Sequence, residues 1–510
     1  MPFPDFIAAL FGAEETVNEN TFEQNQALLT RFLQAQENTI IRIYVTASPG
    51  YGHQANTVNI MYSLITAGFN QNIQMIYDDA PTEPPTINKL ATFIPGLDPN
   101  NPQPVVINAN TTVSFISTTA FNANQQPLRT FGITGGYDNS ADNLALKTNT
   151  SIFLKLQPYC WIPANALYIN RGNPAEQVVI DLGQVDVLGN YIFTRQNYYL
   201  PLPQMSEADY LQFTNAAPTK VDPYNAILTA NTAKKINMMP VYGIGDINGT
   251  IESLGSAPES VLFNLIASVA YTQEYSDVPY LKKGAVIVVI ANVTQPCYDR
   301  LTALLDGLNG EVPKLNEYIL NQDLKNRVDI INYDDPNFSQ KLTQTGVSTD
   351  KILVIKMGGI PGPAFNYMYS KSTLPCVFEG KGTASLVLNL PVPYFNLTSA
   401  NINRRYVYPT LPLQNIKLLQ PETAASIEAK TCNTAVFKLK ENFVTTNTNM
   451  IKGGVDDTAL FSAGQLIWKA YSDMDPINIY LASLPNYFHT LQNDKLMNAL
   501  LYMLIYTNAN

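Results

Sequence analysis

The sequence predicts an α/β protein made of two Rossmann-like halves, and three observations carry that reading. The chain has 510 residues, too many for one ordinary domain and suited to two of ~200 each. Residues 40–69 pass from an apolar run through a glycine-rich turn into a helical pattern, and a second series of strands and helices begins near Ala285. Apolar residues make up 46% of the chain and charged residues 14%, which supports a large core and excludes global disorder.

In chain order, residues 1–39 read as a helical, solvent-facing lead-in. The run Ile40-Ile41-Arg42-Ile43-Tyr44-Val45-Thr46 predicts a buried strand, because β-branched and aromatic residues with a single charge suit a covered parallel sheet. Val58, Met61, Tyr62 and Ile65 recur on one helical face, and Gly68 supplies a stop. Residues 73–77, closed by Asp78 and Asp79, complete a strand–helix–strand unit. Proline and asparagine density over 81–104 indicates a loop excursion. Strand-like runs follow at 105–107, 112–116, 152–156 and 178–182, with Thr134-Gly135-Gly136-Tyr137-Asp138 as a further glycine loop among them. The turn-rich segment 240–249 reads as the boundary between halves and as a hinge.

Beyond it the pattern predicts a helix over 260–272, a strand over 285–291, and a helix striped by Leu301, Leu304, Leu305 and Leu308. Strands at 328–331 and 351–356 follow. The second ends in Met357-Gly358-Gly359-Ile360-Pro361-Gly362-Pro363, where a helix can start at Pro363. Cys376-Val377-Phe378 is a short strand entering Glu379-Gly380-Lys381-Gly382-Thr383. A helix over 384–390 comes next, and Pro391 opens a strand toward Phe395. The expected organisation is therefore a lead-in (1–39), a first half with insertions (40–240), a second half (241–430) and a helical C-terminal region (431–510).

Two glycine loops carry the chemistry. At Glu379, Gly380, Lys381, Gly382 and Thr383, a strand end, two glycines and Thr383 as N-cap place free N–H groups at a positive helix end. A carboxylate beside such a turn repels phosphate but suits the two hydroxyls of a ribose. The first loop ends in His53, one of two histidines in the chain, at the carboxyl end of a strand. An imidazole there can take a proton from an acceptor hydroxyl or amine, with Asp138 or Asp142 as the carboxylate that orients it. His489, in Tyr487-Phe488-His489, reads as a packed side chain. Neither loop matches the P-loop or a full GxGxxG pattern.

Ser48-Pro49-Gly50-Tyr51-Gly52-His53, with its helix and Ala67-Gly68-Phe69, resembles the opening loop of GT-B glycosyltransferases, including the MurG-like and UDP-glucuronosyltransferase-like groups. The stretch from Leu374 to Thr383, with Leu390-Pro391-Val392-Pro393, is similar to the donor segment of that fold. The resemblance covers the two loops and their flanks but not the middle third of the chain. It implies two Rossmann-like domains facing a central cleft, with His53 and Asp138 as catalytic residues. Gly50, Tyr51 and Gly52 would form the acceptor loop; Gly358, Gly359, Glu379, Gly380, Lys381, Gly382 and Thr383 would bind the donor. The implied activity is transfer of a sugar from a nucleotide-diphosphate sugar, a UDP-sugar foremost, to a glycan, lipid or protein acceptor. Inversion of configuration and independence of metal or cofactor are expected, with retention the alternative because retaining enzymes share the fold. The family's helix-borne Glu beyond the glycine turn is absent, since Leu386, Val387 and Leu388 stand there, and Glu379 would take its ribose contact. Lys381, Lys356 and Lys371 are the candidates for neutralising the departing diphosphate.

Other classes stay open: a sugar-nucleotide epimerase of the same architecture, and a non-catalytic binding or virulence protein reusing the fold. Asp473-Met474-Asp475 is the sole Asp-x-Asp triplet in a plausible context and falls in a helical region, against a transferase of the other common fold. The formal charge of −10 argues against a nucleic-acid surface. Cys160, Cys297, Cys376 and Cys432 lack metal-ligand spacing and read as buried thiols in a reducing compartment. The N-terminus lacks a basic signal-peptide region, and no run reaches the length of a membrane span. A cytoplasmic enzyme, or a secreted bacterial effector, is the expected setting.

Overall fold

The computed structural model describes residues 40–123, 125–136, 143–157, 165–170, 178–182, 200, 202–244, 258–306, 323–397, 457–488, 494–500 and 503. The expected lead-in over 1–39 lies outside them, as does all of 398–456. The architecture is α/β, as the sequence predicts, with one sheet of eight strands and one of six. Chain contacts gather Met1–Pro201 with Tyr487–Asn510 into one compact unit and Leu202–Asn486 into another.

The first unit contains β1 (Ile41–Val45), α1 (Gly52–Thr66), β2 (Ile73–Tyr77), α2 (Thr86–Ala91), β3 (Val105–Asn108), β4 (Thr111–Ser117), β5 (Arg129–Thr134), β6 (Thr150–Lys155), β7 (Ala166–Ile169) and β8 (Val178–Asp181). Every residue of β1 is buried, as its composition requires of a central strand. The expected stop of α1 is present: Phe69 N–H bonds the Leu64 carbonyl and Gly68 N–H that of Ile65, the paired bonds of a Schellman ending. Its buried face differs from the expected stripe. Val58, Ile60, Met61 and Leu64 are buried, but so are the polar Gln54, Asn56, Thr57 and Ser63, whereas Tyr62 and Ile65 are half-buried.

The second unit contains α3 (Glu207–Ala216), α4 (Pro218–Thr232), β9 (Asn237–Val241), α5 (Pro258–Tyr275), β10 (Ala285–Val289), α6 (Gln295–Leu305), β11 (Val328–Asn332), α7 (Phe338–Val347), β12 (Ile352–Lys356), α8 (Gly362–Ser370), β13 (Cys376–Phe378), α9 (Lys381–Val387), β14 (Tyr394–Asn396) and α10 (Asp457–Tyr471). The boundary differs from the expected one. Pro240 and Val241 close β9, a fully buried strand paired to β10 and β13, so this part of 240–249 is core rather than hinge. The unit begins at Leu202, and α3 and α4 belong to it.

Both sheets are wound alike. Their orders are β3-β4-β2-β1-β5-β6-β7-β8 and β11-β12-β10-β9-β13-β14. In each, the first strand is central and the second lies beside it. The fourth then sits inside the third, and the fifth returns to the free side of the first. The second sheet is parallel throughout; in the first, β3, β7 and β8 pair antiparallel to their neighbours. The winding therefore reverses between β1 and β5 in one sheet and between β9 and β13 in the other. Crevices at the carboxyl ends of such strand pairs are where open α/β sheets bind ligands.

Candidate functional site

In the first unit the reversal brings together the two N-terminal glycine loops seen in the sequence. The chain leaves β1 through residues 46–51, enters α1 at Gly52, and places His53, half-buried, in the first turn. The neighbouring β5 ends in Thr134-Gly135-Gly136 against that turn. A Cβ on Gly136 would lie 2.8 Å from His53 Cα, so this approach demands glycine. Gly135 N–H donates to Thr57 Oγ1 at 3.2 Å, and Asn56 Nδ2 donates to the Gly135 carbonyl. Gln54 Nε2 donates to the Thr46 carbonyl at 2.8 Å, tying the start of α1 to the end of β1.

The proposed acceptor loop is open. Gly50, Tyr51 and Gly52 are exposed, and nothing stands within 4 Å of a Cβ built on either glycine. Beneath it lies Lys89 of α2, fully buried, whose Nζ donates to the carbonyls of Ser48 and Pro49. Burial holds this ammonium below the usual lysine range, with Glu83 opposing the shift. Asp138 and Asp142, the candidate orienting carboxylates, lie outside the described residues, as does His489.

In the second unit the reversal joins Tyr242-Gly243 at the end of β9 to Glu379-Gly380 at the end of β13. Tyr242 N–H bonds the Val377 carbonyl at 2.9 Å. Gly243 has φ +87°, and a Cβ there would lie 2.7 Å from Glu379 N and 2.9 Å from Glu379 Cα. The two loops are therefore in backbone contact, and Glu379 is half-buried at the crevice.

The helix expected after Thr383 starts earlier. Gly380, at φ +93°, is the N-cap of α9, so Lys381, Gly382 and Thr383 form its first turn and Thr383 is not a cap. The reason is local: Gly380 takes the half-in position, and its carbonyl accepts from Ala384 N–H.

Gly358 and Gly359 are not brought to Glu379. They follow β12, which β10 and β9 separate from β13, about 14 Å at the spacing of neighbouring strands. Beside them stands Lys220, which the sequence reading missed. Lys220, from the first turns of α4, donates to the Gly359 carbonyl at 2.7 Å and lies 5.2 Å from the Tyr333 ring centroid. Burial pushes its ammonium down. Lys356, at the carboxyl end of β12, bonds Gln295 Oε1 at 3.0 Å. Lys371 is at the other end of the sheet. It caps the C-terminus of α8, and the N–H groups of Thr373 and Leu374 just beyond bond the Met238 carbonyl near the start of β9. It is corrected out of the site.

No protein-family model matches the sequence, and no curated protein is significantly similar to it. Among the described residues, no three His, Cys, Asp or Glu side chains gather as metal ligands, and no helix is long and apolar enough to cross a membrane. Cys297 and Cys376 are buried.

The signal for Lys220 was weak, since one lysine in a helix carries no motif. That for Gly243 was present but misread. Pro-Val-Tyr-Gly-Ile-Gly repeats the apolar run and glycine turn of the other strand ends, and its turn residues drew attention away from the strand.

Proposed function

We propose that this protein is a glycosyltransferase of the GT-B class, moving a sugar from a nucleotide-diphosphate sugar to an acceptor hydroxyl or amine. The observation that carries the reading is that the first loop, with His53, and the second, with Glu379, each stand where their sheet's winding reverses. Each is lined there by a glycine whose replacement would collide with it.

In this reading the Glu379 carboxylate accepts from the ribose hydroxyls, while Gly380, with nothing within 4 Å of a Cβ built there, lets the diphosphate approach without side-chain obstruction. Phosphate oxygens accept from N–H groups, and Lys381, in the loop itself, balances charge on the leaving diphosphate, whereas Lys356 and Lys220 stand with β12, beyond β10 and β9. His53 takes the acceptor proton as the acceptor atom bonds to the anomeric carbon and the bond to the phosphate oxygen breaks. A single displacement of this kind inverts the anomeric centre and needs no resident cofactor.

A thermal-shift screen of the whole chain against UDP-, GDP- and dTDP-sugars tests the reading, followed by assay of slow donor hydrolysis. A shift with one nucleotide family, together with hydrolysis, is the expected outcome. No shift with any of them contradicts the reading, and a shift without hydrolysis or transfer points to a binding protein.

A further inference from the structure

We propose that Lys89 is a positioning residue, holding the Ser48-Pro49-Gly50-Tyr51 turn so that His53 meets its acceptor. The proposal rests on His53 as the base, and it assigns a purpose to the 81–104 excursion, whose helix α2 the sequence did not disclose.

Two residues one helical turn apart reach the loop. The Lys89 ammonium donates to the Ser48 carbonyl and, at 3.2 Å, to that of Pro49, and it lies 5.9 Å from the Tyr51 ring centroid. Phe93 meets the same ring edge-on, with centroids 6.2 Å apart. Gln54 holds the strand end at Thr46 and Ala55 N–H bonds the Tyr51 carbonyl, so Lys89 and Phe93 act on the stretch between. Gly50 and Gly52 border open space, and Tyr51 as N-cap of α1 makes no side-chain capping bond.

The chemistry of the contact is specific. Glu83 favours the charge without forming an ion pair, and burying an ammonium so weakly compensated is unfavourable, whereas an apolar side chain would fill the same volume more stably. Among the ion pairs of the described residues, none includes Lys89. What the ammonium supplies instead is direction. It draws two successive carbonyls inward. Because N–H and C=O oppose each other across a trans peptide, the Gly50 N–H then faces away from Lys89, toward the open side of the loop. There it is placed as a hydrogen-bond donor for the acceptor, one turn of chain before His53.

The test compares full-length Lys89→Met and Lys89→Arg with wild type. Amide hydrogen exchange at Ala55, whose N–H bonds the Tyr51 carbonyl at 2.9 Å, turnover, nucleotide affinity and melting temperature are measured on each. For Lys89→Met, exchange should rise about tenfold or more. Turnover should fall by about 10²-fold, the effect of a misplaced reacting group, while the nucleotide dissociation constant stays at its wild-type value. Lys89→Arg, which keeps the charge and the donors, should recover most of both losses. Wild-type exchange and turnover in Lys89→Met overturn the proposal. So does a loss of nucleotide affinity in step with turnover, or an arginine variant as impaired as the methionine one. Should Lys89→Met fail to fold, Lys89→Gln decides in its place: Ala55 exchange should rise and turnover fall with nucleotide affinity kept, and wild-type exchange and turnover in that variant overturn the proposal. Loosened exchange in an enzyme whose wild type transfers no sugar would instead sink the glycosyltransferase reading and leave the anchoring role standing.

Discussion

Tyr369 is completely buried, and its hydroxyl donates to the Val377 carbonyl of β13, the strand that ends at Glu379. Burial first, then the nearby Cys376 thiol and Tyr242, hold its ionisation well above the usual tyrosine range. In the unfolded chain the same hydroxyl ionises near pH ~10. The folded state thus keeps a proton that the unfolded state releases, and stability falls as pH rises above that value. Tyr369→Phe should lose about 1 kcal/mol near neutrality with the hydrogen bond. It should also flatten the alkaline decline by up to about 1.4 kcal/mol per pH unit, the share of one proton. Urea unfolding across neutral to alkaline pH measures both, and an unchanged alkaline slope contradicts the assignment. Gly243→Ala bears on the site more directly. Positive φ and the Glu379 backbone both oppose a Cβ there, so the variant should lose about 1–3 kcal/mol of stability and bind nucleotide less tightly. Normal stability and affinity in Gly243→Ala would show that the two loops do not depend on each other. His53 and Glu379 stood out in the sequence because each interrupts a strand-to-helix passage beside glycine. Gln54, Asn56 and Thr57 did not, since polar residues in the first two turns of a helix read as solvent-facing. They are buried because the ends of β1 and β5 present backbone groups that need partners.

At the scale of elements, strands and helices with clear periodicity were legible. β10, β11, β12 and β13 fall where their apolar runs predict, within a residue or two at their ends. β5 and β7 were not seen as strands, being short and set among turn residues, and α2 was hidden by the prolines around it. The boundary between the halves was misplaced for a related reason: proline, glycine and tyrosine over 240–243 read as linker, although Pro240 and Val241 belong to a central strand. Proteolysis distinguishes the two. Leu202 is 53% exposed, while Pro240 and Val241 are buried in a strand paired on both sides. Limited digestion should therefore cut within 202–206 before it cuts within 240–244. Earlier cleavage at 240–244, read by mass spectrometry of the first fragments, would restore the hinge there.

At the scale of the whole molecule, the α/β class and the existence of two series followed from pattern and length, but the strand order did not. Hydrophobic periodicity fixes what an element is, not which neighbour it takes. Nothing in the runs at 328–331 and 351–356 says that the later strand lies inside the earlier one. That order has functional weight. It puts two strands between Gly358-Gly359 and Glu379, and it places His53 and Glu379 at the equivalent point of two sheets wound alike. On the proposed function these two points serve different partners, the nucleotide at Glu379 and the acceptor at His53. Titration calorimetry with the nucleotide sugar that shifts melting most, on wild type, Glu379→Ala and His53→Ala, tests it when paired with a turnover assay. Glu379→Ala should weaken binding by about 1–3 kcal/mol, roughly fivefold to over a hundredfold in dissociation constant. His53→Ala should bind as wild type does and turn over about 10²–10⁴-fold more slowly. Loss of nucleotide affinity in His53→Ala with none in Glu379→Ala would contradict the claim.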